Sequence, residues 1–238
     1  MTVSARARPS SIGADRRRRF GGWPWLSIAA HLGSLAPLAW LIWQFLHDQL
    51  TVNPIQALTL RTGKYALVLL ALSLACTPLS TFLGWRQVLR VRRALGLYAF
   101  LYVSLHFLIF VGLDYGFDGG LLREAIFEKR FAFVGFIAFL LLLPLAITST
   151  RGWMRRLGQA WKRLHRLVYV AALLAVVHYL WAVKAISGEP LAYGAAVAAL
   201  LMLRLPFVRR LRRGSARGRA RDARVGVADQ EIGNEPAK

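Results

Sequence analysis

The chain has 238 residues, 56% of them hydrophobic, with a mean hydropathy of +0.43 and a formal net charge of +21. So apolar a composition excludes an ordinary soluble domain, because the apolar residues form unbroken runs and not helical stripes or strand alternation. A net charge of +21 on a soluble chain would suggest nucleic acid, but here the basic residues cluster between apolar runs, so membrane lipids and not nucleic acid are the expected neighbours.

Residues 1–22 are basic and read as an unstructured cytoplasmic tail. Arg16 to Arg19 before an apolar stretch resemble a twin-arginine export signal, but that stretch is long and lacks a small-residue cleavage site, so it reads as a retained span. Six runs approach the roughly 20 residues that cross a hydrocarbon core of about 30 Å: residues 25–46, 65–83, 94–113, 131–149, 164–183 and 191–207. The first holds His31 and Pro37. A connection containing Asn53 and Pro54 follows and ends near Gly63. The second run holds Cys76, the lone cysteine of the chain, which excludes an internal disulfide and a CxxCH heme attachment.

His106 lies in the third run. The connection at 114–130 is the longest, with Gly116, Gly119 and Gly120 as breakers, and residues 121–127 are expected to form a short interfacial helix. The fifth run carries His165 at its edge and His178 further in. Beyond the sixth, residues 208–224 are Arg-dense and suited to anionic headgroups, and the acidic end from Val225 reads as disordered. No glycine-rich nucleotide fingerprint follows a strand. The organisation expected is a tail at 1–22, one membrane domain at 23–207 and a tail at 208–238.

Of the 32 Lys and Arg, 26 fall on one side of this six-span scheme, in both tails and the even-numbered connections. The other side carries Asp48, Asp114, Asp118, Glu124, Glu128 and Glu189. That asymmetry predicts both termini in the cytoplasm. Trp23, Trp25, Trp85, Trp153 and Trp161 fall near the cytoplasmic ends, and Trp40, Trp43 and Trp181 near the opposite ends, as interfacial belts require.

An imidazole is expensive in hydrocarbon, so histidines within such runs are candidate functional groups. At about 1.5 Å per residue, His106 lies about 18 Å and His178 about 21 Å from the cytoplasmic edge. Two imidazoles at matched depth on neighbouring helices suit the axial positions of one heme, toward the outer face. His165 lies about 20 Å from His178 along the axis and about 140° around it. Its partner is open: His31, at about 10 Å depth, is offset, and Arg92 or water are alternatives. Hydrogen bonding between helices is the competing explanation for each histidine. His47, beside Asp48, reads as interfacial. Thr62, Thr77, Thr148, Ser149, Tyr98, Tyr102, Tyr169 and Tyr179 are polar positions that could line a quinone pocket or serve packing.

Several strings are familiar in combination. Arg92-Arg93-Ala94-Leu95-Gly96-Leu97-Tyr98, Leu105-His106-Phe107, Arg156-Leu157-Gly158, Trp161-Lys162-Arg163-Leu164-His165 and Val177-His178-Tyr179-Leu180-Trp181 resemble the MsrQ (YedZ) family over about residues 31–207. The resemblance implies an all-α, six-helix ferric-reductase-like membrane bundle with b-type heme, related to the membrane half of NADPH oxidases. It places heme ligands at His106, His165 and His178. It also implies an inner-membrane electron carrier fed by the quinone pool, an association with FMN, and delivery to a periplasmic molybdopterin-containing (MsrP-like) catalytic subunit that reduces methionine sulfoxide in damaged proteins. NADPH oxidases carry a further histidine where this chain has Arg92, which leaves His165 without the usual partner and makes His31 a candidate. The competing functions are a direct ferric or cupric reductase and a histidine-containing metal or ion transporter; inverted repeats typical of the latter are not evident.

Overall fold

A computed structural model describes residues 24–183 and 188–204, and every regular element among them is helical. In chain order these are α1 (Pro24–Leu46), α2 (Pro54–Phe82), α3 (Val88–Leu108) continued by a π-helical segment (Ile109–Asp114), α4 (Gly119–Glu128), α5 (Arg130–Ile147), α6 (Arg151–Leu164), α7 (Leu167–Ala182) and α8 (Gly188–Met202). The two expected tails, and the end of the sixth run, lie outside the described residues.

Four helices are long and apolar enough to cross a membrane: α1, α2, α3 with its π segment, and α5. A fifth crossing arises if α6 and α7, bent by 51° at their junction, are taken together. The sixth expected run corresponds to α8, whose 15 described residues are apolar but short of a full span. The chain is therefore a multi-pass membrane protein. Large apolar side chains such as Leu32, Ile42, Phe45, Leu72 and Leu140 are exposed on the outside of the bundle, where lipid tails would cover them.

Two boundaries differ from expectation. The α2 helix starts at Pro54, some ten residues before the apolar run, so the stretch expected to be a connection up to Gly63 is helical. Its start is dictated locally: Pro54 sits in the first turn, where its missing N–H is no loss, and the Asn53 side chain accepts from the Gln56 amide at 3.1 Å. The basic stretch at 151–164, expected to be a connection, is the amphipathic helix α6, interrupted at Gly158 (φ 48°, ψ −116°), a conformation suited to glycine. Thr150 caps it by accepting from the Trp153 amide. The expected interfacial helix at 121–127 is α4, capped by Asp118, which accepts from the Gly120 and Leu121 amides at 2.8 and 2.9 Å.

Small residues let the helices approach closely, as membrane packing requires. Ala66 on α2, Ala99 on α3 and Ala171 and Ala172 on α7 are buried together with Leu70, Leu74, Leu142, Leu145 and Val197. The chief pairings are α2 on α3 and α5 on α7. Proline within these helices strips carbonyls of their partners, and side chains answer. Pro78 has no N–H to give to the Leu74 carbonyl one turn back; Arg204, from the end of α8, donates to that carbonyl and to Tyr169 Oη at 3.0 Å. The fully buried Tyr102 donates to the Ser34 carbonyl at 2.8 Å, three residues before Pro37 of α1. Trp161 of α6 donates to the Thr148 carbonyl at the end of α5, 3.0 Å away.

Candidate functional site

His106 on α3 and His178 on α7 meet across one end of the bundle, with ring centroids 5.9 Å apart and ring planes crossed at 84°. Each ring is held by its Nδ1, which donates to a main-chain carbonyl of a third and a fourth helix: Thr59 on α2 at 2.9 Å for His106, and Phe131 on α5 at 2.8 Å for His178. Those bonds fix the tautomer: with Nδ1 carrying the proton, Nε2 on the far edge of each ring keeps its lone pair. A metal-binding histidine is commonly prepared in this way, its second nitrogen tied to a carbonyl.

Two glycines create the space. A Cβ at Gly63 on α2 would stand 3.1 Å from His106 Nδ1, and one at Gly135 on α5 would stand 2.6 Å from His178 Nδ1. The second distance is closer than atoms tolerate, so that ring fits only because α5 has no side chain there. Both imidazoles line a cavity of about 430 Å³, within the range of small-molecule sites. Aliphatic residues and a cluster of phenylalanines form its walls. Phe107 stacks on Phe139 at 4.7 Å and lies 5.9 Å from Phe136; Phe100, behind the lining, lies parallel to Phe139 at 6.0 Å. Phe110, in the π segment that follows His106, lines it as well; such irregular turns recur at functional sites.

The other expected site residues lie elsewhere. His165, at the junction of α6 and α7, stacks on Trp161 with centroids 4.0 Å apart, and its Nε2 is buried with no hydrogen-bond partner. Arg92 is half-buried and within electrostatic range of it. His31 is exposed on α1 and pairs with Tyr98 Oη at 2.9 Å. His47 stacks on Trp43 at the end of α1. Of the hydroxyl positions considered for a quinone, Thr62, Thr148 and Ser149 bond to their own helices and Tyr102 and Tyr169 to α1 and Arg204; Tyr179 alone lines the cavity. Sequence reasoning missed Gly63, Gly135 and Lys64. The available signal was a glycine inside an apolar helix, which marks close approach.

Among the described residues no group of three or more His, Cys, Asp or Glu could hold a bare metal ion. Two neighbouring imidazoles, each with a free Nε2, suit a metal whose other positions are supplied by a planar ligand. The apolar lining and the glycine-made gaps suit the same ligand.

A multi-pass helical bundle with paired intramembrane histidines is the architecture of a ferric-reductase-like membrane domain, and residues 62–176 match the family described as ferric reductase like transmembrane component. The protein-methionine-sulfoxide reductase heme-binding subunit MsrQ of Rhodospirillum rubrum is 48% identical over 191 residues, covering 79% of this chain and 92% of the relative. The same subunit of Caulobacter vibrioides is 45% identical over 175 residues (73% and 83%), and that of Deinococcus radiodurans 46% over 198 (82% and 97%). The chain belongs to the MsrQ family.

Proposed function

We propose that this chain is the heme-binding membrane subunit of a methionine sulfoxide reductase system in the bacterial inner membrane. Both termini face the cytoplasm. Electrons arrive from the quinone pool, or from a reduced flavin such as FMN, and leave outward to a periplasmic molybdopterin-containing catalytic subunit. His106 and His178 would hold a b-type heme through their Nε2 atoms, and His165 is a ligand candidate at the other end of the bundle.

The observation that carries this reading is the pair of imidazoles, each tied down through Nδ1 and each keeping Nε2, over glycines that make room for them. The heme-binding relatives named above support it. A heme held there would supply a reversible one-electron iron couple. The residues of the chain do the rest. The Thr59 and Phe131 carbonyls orient the rings, and the phenylalanine walls exclude water. The outer connections carry acidic residues and, on α4, the exposed Leu121 and Phe127, a surface for a soluble partner. No residue of the cavity is placed to reduce a sulfoxide itself.

Proteoliposomes containing the chain and a quinol test the function. Addition of the purified molybdopterin partner is expected to give methionine sulfoxide reduction that stops when the chain is omitted. Reduction of a ferric or cupric chelate at equal rate without the partner would instead favour a direct metal reductase.

A further inference from the structure

Among the described residues that line the cavity, Lys64 is the only Lys or Arg. It follows Gly63 directly, the glycine on which the His106 ring rests, and so stands at the level of the histidine pair on α2. A lysine within an apolar helix carries a desolvation cost and calls for a named partner. Its visible partner is Glu189, in the first turn of α8, and both side chains are partly exposed, at 41% and 48%. Arg61, one turn earlier, is occupied by Gln44 of α1. The Lys64 ammonium therefore stands at the rim, between the interior of the cavity and an acid outside it. With three N–H donors it can serve Glu189 and a second acceptor together.

We infer that Lys64 is a carboxylate-binding residue of this cavity, taking one of the two propionate groups of the bound heme while Glu189 holds the ammonium at the rim. The inference rests on the heme reading above. Elsewhere in the described lining Asp114 would repel a carboxylate, and Asn53, Gln56, Thr59 and Tyr179 offer only uncharged donors. Glu189 fixes the position of the lysine without neutralising all its donors. A helix-to-helix staple between α2 and α8 is the role to be distinguished from this one.

The experiment compares heme with its dimethyl ester, in which both propionates are blocked. Wild-type, Lys64→Gln, Lys64→Arg and Glu189→Gln proteins, prepared without heme, are titrated with each and followed by Soret absorbance. Lys64→Gln is expected to weaken heme binding about fivefold, the scale of a partly exposed ion pair, with no effect on the ester. Lys64→Arg should restore the preference for free heme, and Glu189→Gln should retain it. Equal preference for heme over ester in Lys64→Gln and wild type would overturn the inference. So would parallel weakening of both ligands in Lys64→Gln and Glu189→Gln, the result of a staple. A wild-type protein that takes up neither ligand would count against the heme reading itself.

Discussion

Replacing His178 or His106 with alanine is expected to leave purified protein with less than about a tenth of the wild-type b-type heme, because losing even the outer partner of a metal-binding histidine weakens binding 10- to 100-fold. Either imidazole alone leaves iron with one axial bond and a cavity that must admit water. The His178 variant also removes a donor from the Phe131 carbonyl, and the His106 variant removes one from the Thr59 carbonyl, which keeps Thr62 Oγ1 at 3.1 Å. Pyridine-hemochrome quantitation and reduced-minus-oxidised spectra read the result. His31→Ala, which touches only Tyr98 among the site residues considered, should keep the spectrum of this centre unchanged. Full heme content in His178→Ala would remove the ligand assignment.

The second large effect is expected from a single methyl group. Gly135→Ala puts a Cβ 2.6 Å from His178 Nδ1, so the ring must move off its hydrogen bond to the Phe131 carbonyl. A displaced rotamer at about 1 kcal/mol and a lost hydrogen bond at about 1 kcal/mol together predict heme binding weaker by roughly 30-fold. Gly63→Ala should do less, because 3.1 Å asks His106 for a shift of only a few tenths of an ångström. The same substitutions favour the helix itself by up to about 1 kcal/mol. That gain offsets only part of the cost of moving the His178 ring, so helix content of the heme-free protein should hold, with at most a small loss of thermal stability, while heme content falls. A protein that simply unfolds would lose both, and one that keeps full heme content would show that the gap over α5 has no role.

Much of this was legible in the chain. Unbroken apolar runs and the sidedness of arginine indicated an all-helical membrane bundle, and counting residues from the cytoplasmic edge brought His106 and His178 to one level. Rise per residue is nearly constant in a helix, so depth survives without knowledge of the packing. Azimuth does not, and no count showed which backbone each ring would rest upon. Gly63 read as the end of a connection because the start of α2 is polar, although Asn53 and Pro54 form a local start signal stronger than the change in hydropathy. The α6 helix was hidden for the opposite reason: Arg151, Arg155, Arg156, Lys162 and Arg163 looked like a cytoplasmic connection, while Met154, Leu157, Trp161 and Leu164 supply the less exposed face of a helix. Lys64 passed unremarked because one lysine near a helix end is ordinary. Only the fold places it beside both the cavity and Glu189.

Electron paramagnetic resonance of the oxidised protein tests the His106–His178 centre most directly. It is best recorded on His165→Ala protein, so that nothing held by His165 contributes. Two neutral imidazoles holding one heme would give a low-spin ferric signal. A high-spin signal would contradict this pairing of His106 with His178.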